Sequence, residues 1–183
     1  EFQIEINAWS RFIESNQSLG GLKIMAVDDS ESFDVSALSK ALAAHPSLQR
    51  VHITMDTLDP DQHQLLCEGL ASSKSITHLH LDAGDPTHLS TAPILQRCSQ
   101  LKYLGLSFLL YDNRGAERNM VDAWGILGEL LGNRTLERFE LLGQFEAIIP
   151  DEPDEEGFLF KNELRAIVRT AHRIMRHNRL LAK

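Results

Sequence analysis

Leu136-Glu-Arg-Phe139-Glu-Leu141 reads apolar-x-x-apolar-x-apolar, and four earlier stretches read the same way without a gap. They are Leu19-Gly-Gly-Leu22-Lys-Ile24, Leu48-Gln-Arg-Val51-His-Ile53, Ile76-Thr-His-Leu79-His-Leu81 and Leu101-Lys-Tyr-Leu104-Gly-Leu106. Their first residues lie 29, 28, 25 and 35 positions apart. One such match is weak, since any helix or strand supplies it by chance. Five at a nearly constant period mark a repeat protein.

The residues ahead of each stretch carry a different period. Trp9, Phe12 and Ile13 precede the first, Leu38 and Leu42 the second, and Leu65, Leu66 and Leu70 the third. Ile94 and Leu95 precede the fourth, and Ile126, Leu127, Leu130 and Leu131 the fifth. Spacings of three and four place these side chains on one face of a helix. Asp59-Pro60-Asp61-Gln62 offers an N-cap, a proline at the first helical position and a capping-box partner. Asn7, Ser36, Ser90 and Asp122 are the other expected caps. Asn16, His45, Ser73, Cys98 and Asn133 stand where each helix should stop.

The unit is therefore helix, tight turn, short strand, loop. A unit this small cannot bury its own apolar side, so units must stack, with parallel strands on one side and helices on the other. Strand side chains alternate, so the apolar motif positions face inward and the residues between them face outward on the concave side.

This pattern resembles the leucine-rich repeat family, and a period of 25 to 29 with a full helix per unit resembles its ribonuclease-inhibitor-like class. The resemblance covers Asn7 to Gln144. It implies an α/β solenoid of about five strand–helix units with a C-terminal helical cap. Such repeats occur in innate-immune receptors, GTPase-activating proteins, actin-capping proteins and effectors of bacterial pathogens. The family places Asn or Cys three residues past the last strand position, whereas this chain has Val27, Asp56, Gly84, Leu109 and Gln144 there. The loops that leave the strands are thus expected to be individually shaped.

The 183 residues suit one domain, divided into a solenoid over 1–149, an acidic loop over 150–157 and a terminal helix over 158–183. That helix either caps the solenoid or opens a sixth unit, because Asn178-Arg-Leu-Leu181 repeats Asn133-Arg-Thr-Leu136. Its expected apolar stripe is Leu164, Ile167, Val168, Ala171, Ile174 and Met175. Phe108-Leu-Leu-Tyr111 opens an insertion that runs to Val121, read as a longer strand with a packed loop or as an aromatic anchor for a partner. The abrupt start at Glu1-Phe2-Gln3-Ile4, without methionine, is expected of a piece of a larger protein.

Charge is unevenly placed. The net charge is −8, yet from Gly157 onward seven basic residues face one acid, so the last 27 residues carry +6 and the first 156 carry −14. An acidic body repels phosphate, which argues against nucleic acid as a partner. No apolar run approaches the length of a membrane span, so no membrane partner is expected. Two cysteines, Cys67 and Cys98, are too few for a disulfide scaffold and fit a reducing, cytoplasmic setting, or a host cytoplasm for a secreted effector.

No nucleophile elbow, phosphate loop or C-x-x-C occurs. The outward strand positions instead gather Arg50, His52, His78, His80, Asp82, Tyr103, Ser107, Arg138 and Glu140. His52 and His80 should stand side by side, with Asp82 beside Thr54, and two imidazoles with a carboxylate suggest either a metal or a solvated recognition surface. The recognition surface is preferred: neither catalytic residue, cofactor nor metal is expected. The expected function is recognition of a protein partner by a monomeric module. The alternative is a targeting domain of a bacterial effector or other enzyme whose catalytic part lies outside this sequence.

Overall fold

The computed structural model describes residues 7–26, 34–55, 58–83, 91–109, 126–144 and 155–181. The helices are α1 (Asn7–Ser15), α2 (Val35–Ala44), α3 (Pro60–Ser72), α4 (Ala92–Arg97), α5 (helical over residues 126–130) and α6 (Glu155–Leu181). The strands are β1 (Gly21–Ala26), β2 (Arg50–Met55), β3 (His78–Ala83), β4 (Tyr103–Leu109) and β5 (Arg138–Gln144). Each strand starts two residues after the first apolar residue of its motif. All five are parallel, in the order β1-β2-β3-β4-β5, so each unit is laid beside the one before it.

The sheet pairs motif onto motif. Ile24, Ile53, Leu81, Leu106 and Leu141 form one inward row, and Leu22, Val51, Leu79, Leu104 and Phe139 form the other. The leading residues Leu48, Ile76, Leu101 and Leu136 are buried at the turn before each strand. Leu19 and Leu22 are only half-buried, because the first strand is the open edge of the sheet. Against these rows lie the helix stripes: Val35, Leu38, Ala41 and Leu42 of α2, Leu66, Cys67, Leu70 and Ala71 of α3, Ile94 and Leu95 of α4, and Leu130 of α5. The solenoid expected from the repeats is the fold of the chain.

Helix starts follow local hydrogen bonding. The capping box at α3 is complete, with Asp59 Oδ1 accepting from Gln62 N at 2.8 Å and Gln62 Oε1 accepting from Asp59 N at 3.3 Å. At α2 the cap is Asp34, not the expected Ser36: Asp34 Oδ1 accepts from Ala37 N at 2.9 Å, and Ser36 falls inside the first turn. Thr91 precedes α4 without capping it, and its hydroxyl instead donates to Glu129 Oε2 of α5 at 3.0 Å. Ser90 and Asp122 lie outside the described residues.

The expected helix stops do more than stop helices. His45 Nδ1 accepts from Leu48 N at 3.0 Å, Ser73 Oγ from Ile76 N at 3.4 Å, and Asn133 Oδ1 from Thr135 N at 3.0 Å and Leu136 N at 2.8 Å. Each side chain thus folds its own turn into the strand that follows. The turns are then tied to one another: His45 Nε2 meets the Asn16 carbonyl at 3.0 Å, Ser75 Oγ donates to His45 O at 2.8 Å, and Asn133 Nδ2 donates to Leu95 O at 2.7 Å. Buried backbone groups need partners, and here a ladder of turn side chains supplies them.

Helix packing is closest between α2 and α3. A Cβ at Gly69 would stand 2.6 Å from the Ser39 carbonyl oxygen, and Ser39 Oγ donates to Leu65 O at 2.7 Å. Only glycine fits that approach.

α6 begins at Glu155, three residues before the expected Phe158, consistent with the preference for acidic residues in a helix's first turn. Ile167, Ala171 and Met175 are buried, Val168 and Ile174 half-buried, and His172 Nε2 reaches Phe139 O at 3.1 Å. The helix runs on through Asn178, which is buried against the fifth turn. Arg165, Arg169, Arg173, Arg176 and Arg179 occupy the exposed side. The acidic stretch up to Asp154, most of the insertion after Leu109, and the expected departures at Val27, Asp56 and Gly84 lie outside the described residues.

Candidate functional site: the concave sheet face

Alternation along five aligned strands sorts the outward residues into columns. The first holds Gly21, Arg50, His78, Tyr103 and Arg138; the second Lys23, His52, His80, Gly105 and Glu140; the third Met25, Thr54, Asp82 and Ser107. Every one of the nine sequence-derived site residues falls in these columns. Around the first two opens a shallow depression of about 650 Å³, lined by Lys23, Arg50, His52, His78, His80, Tyr103 and Arg138 among others.

One end of the face is a locked cluster. Tyr103 Oη donates to Glu140 Oε2 at 2.7 Å, Arg138 pairs with Glu140 Oε1, and the Arg138 guanidinium lies 5.7 Å from the Tyr103 ring centre. The His78 and Tyr103 rings stack at 6.0 Å and 26°. Burial, followed by the bond to Glu140, pushes the Tyr103 hydroxyl up to about 12. The Tyr103 bond, aided by Arg138, holds the Glu140 carboxyl below its ordinary value.

The middle of the face carries the imidazole pair. His52 and His80 have ring centres 4.4 Å apart, and Asp82 pairs across from Thr54 as expected. His80 Nε2 meets Ser107 Oγ at 2.9 Å, and His52 Nε2 meets Thr54 Oγ1 at 3.3 Å. Both histidines are held below their ordinary value, first by burial and, for His52, next by the neighbouring His80. Among the described residues no group of three His, Cys, Asp or Glu is arranged to hold a metal ion.

Ser107 sits in its expected column but is only 2% exposed, so it holds His80 rather than facing a partner. Gly105 was not singled out by the sequence reading, yet the face depends on it. A Cβ there would stand 2.6 Å from His80 Nδ1 and 2.7 Å from Tyr103 Oη, so the two side chains lean over a site where glycine alone leaves room. Cys67 and Cys98 are both buried and unpaired; burial pushes Cys67 up to about 12 and raises Cys98 as well, which makes both poor nucleophiles. No described helix is long and apolar enough to cross a membrane.

The parallel sheet, the row-on-row core and the outer helices define the fold class: a leucine-rich repeat solenoid. Solved structures of the same shape are the actin-binding site 2 of leiomodin-1, at TM-score 0.59 and 14% identity over 99% of this chain and 97% of that one, and the C-terminal domain of Caenorhabditis elegans tropomodulin, at 0.51 and 12% over 97% and 99%. No family model and no curated protein matches the chain. The resemblance to the ribonuclease-inhibitor-like class is corrected accordingly: no family model supports it, and the similar folds are leiomodin and tropomodulin domains.

Proposed function

We propose that this chain is a protein-recognition module whose concave sheet face is the binding surface. The observation that carries the reading is the first column, in which Arg50, His78, Tyr103 and Arg138 stand on four adjacent strands. A row of side chains fixed on a packed sheet loses little freedom on binding. Arg and Tyr are the residue types that most often anchor interfaces. On this reading the chain works as a monomer, without cofactor and without catalysis of its own, in the reducing cytoplasm that its two free buried thiols suit.

The leiomodin-1 domain that shares the fold is by description an actin-binding site, so actin is the first partner to test. Co-sedimentation with filaments and titration of labelled monomeric actin would compare the wild type with Tyr103→Ala/Arg138→Ala. Binding that the double variant weakens supports the reading. Actin binding that ignores this face, or loss of binding only on changing the outer helices, overturns the placement. If actin does not bind at all, capture from lysate with the same pair of proteins applies the same criterion to another partner.

A further inference from the structure

The concave depression is cationic although the chain is acidic. Its charged lining is Lys23, Arg50 and Arg138, and no carboxylate lines it. Arg138 is paired with Glu140, the acid next to it on the sheet. Lys23 and Arg50 are different: both are exposed, and among the described residues neither has an ion-pair partner. They stand on adjacent strands, Lys23 paired across from His52 and Arg50 from Gly21. Gly21 leaves the space next to Arg50 open, since a Cβ there would meet nothing closer than 3.9 Å. The nearest carboxylate of the inner strands, Asp82, lies in the third column, outside the lining.

We infer that this depression receives an acidic, extended segment of the partner protein, with its carboxylates on Lys23 and Arg50 and its other end against the His78–Tyr103 stack. The inference rests on the concave-face reading above and adds the chemistry of what is bound. Four strand spacings of ~4.8 Å give a face about 19 Å across, and at ~3.3 Å per residue an extended segment of about six residues crosses it. Uncompensated cations on a rigid face attract such a segment, while the first 156 residues as a whole carry −14 and do not favour acidic chains. The exposed arginines of α6 are the rival cationic surface, and they belong to a separate helix.

The test is fluorescence anisotropy with a labelled hexaglutamate peptide at low salt, with hexalysine and a six-nucleotide oligothymidylate as comparison probes. Wild type should bind hexaglutamate and not hexalysine, and Lys23→Glu/Arg50→Glu should weaken that binding at least tenfold. Lys23→Gln/Arg50→Gln should weaken it less, and Arg169→Glu/Arg173→Glu on α6 should change it less than twofold. All four side chains are exposed, and circular dichroism verifies that each variant is folded. The inference is overturned if hexaglutamate does not bind, if only the α6 variant loses it, or if the oligothymidylate binds the same residues more tightly. It is equally overturned if sedimentation shows a dimer that Lys23→Glu/Arg50→Glu breaks apart, since a second copy would then occupy the face. Should a protein partner depend on Tyr103 and Arg138 but ignore Lys23 and Arg50, the concave-face reading stands and this inference alone falls.

Discussion

Asn178 Nδ2 donates to the Asn133 carbonyl at 2.6 Å and to the Leu130 carbonyl at 2.9 Å, so a residue inside α6 completes the last turn of the fifth unit. Arg134 Nη1 in turn donates to Asn178 Oδ1 at 2.9 Å. Asn133 holds its own turn through Leu136 N and the previous unit through Leu95 O. The two asparagines therefore belong to one network that joins α4, the fifth turn and α6. Asn178→Ala takes from the Asn133 carbonyl its side-chain donor, while the Leu130 carbonyl keeps Asn133 N at 3.1 Å, and a loss of about 1–3 kcal/mol is expected. Asn133→Ala should cost a similar amount, and the double variant less than the sum, because both side chains hold the same turn between Leu130 and Leu136. Chemical denaturation measures all three; an additive pair would show that the network does not couple the elements.

Leu104 is fully buried in the middle of the sheet, flanked by Leu79 and Phe139. Leu104→Ala is expected to cost about 2–5 kcal/mol, the range for emptying a packed leucine site. Met25, which is 59% exposed on the concave side of the edge strand, should tolerate alanine within about 0.5 kcal/mol. Equal midpoints for the two variants would contradict the inward and outward assignment of the strands.

Much of this architecture was legible because it rests on period alone. The pairing of Leu79 with Leu104 and of His52 with His80 follows once five motifs are aligned, since parallel strands of equal units meet in register. What could not be read are features set by a neighbour's side chain. Asp34 and Ser36 are both capping residue types one position either side of Val35, and only geometry decides between them. His45, Ser73 and Asn133 are legible as helix stops, but their second role depends on the distance between turns of different units. Tyr103 bonds diagonally to Glu140, one column across on the next strand, which no straight column predicts. Gly105 gave one signal that was available: a glycine in the middle of a strand often marks a close approach.

Gly105→Ala should displace the side chains on either side of it, because its Cβ would fall within 2.7 Å of both His80 Nδ1 and Tyr103 Oη. Overpacking of this kind costs about 1–3 kcal/mol. A more specific signature is optical. Tyr103 ionises at about 12 in the intact cluster, so its tyrosinate absorbance should appear only at high pH. That component should be absent in Tyr103→Phe and should move down in Gly105→Ala if the ring is pushed off Glu140. An unchanged titration in Gly105→Ala would mean that the cluster absorbs the methyl without moving.

His52 and His80 make stability depend on acid. Both are held below 6.5 in the folded protein, so below that pH the unfolded chain binds protons that the folded chain refuses. Their contribution is fully present above pH 6.5 and is lost as pH falls through the folded values. His52→Gln/His80→Gln should flatten the stability profile below pH 6.5 and leave it unchanged at pH 8. Glu140, held below its ordinary value, adds a separate loss at lower pH, below the normal carboxylate range. Melting temperatures from pH 8 down to about pH 3 separate the two, and a profile unaltered by the double histidine variant would remove these residues as the cause of the upper step.

Recognition by the first column makes the last prediction. Tyr103 presents a ring already fixed by Glu140 and flanked by His78 and Arg138, so it binds with little side-chain ordering left to lose. Tyr103→Ala and Arg138→Ala should each weaken partner binding by more than about 1 kcal/mol, the level that marks an anchor residue. Glu140→Gln removes the acid that pairs with Arg138 and should tighten binding of an acidic segment while loosening that of a basic one. Gln96→Ala, on the exposed side of α4, is the matched control and should do little. Glu129 is unsuited to that purpose, because it accepts the hydroxyl of fully buried Thr91 and changing it would perturb the helix layer. If Gln96→Ala, or Arg169→Ala and Arg173→Ala on α6, abolished the interaction while Tyr103→Ala and Arg138→Ala left it intact, the binding face would lie on the helical side of the solenoid.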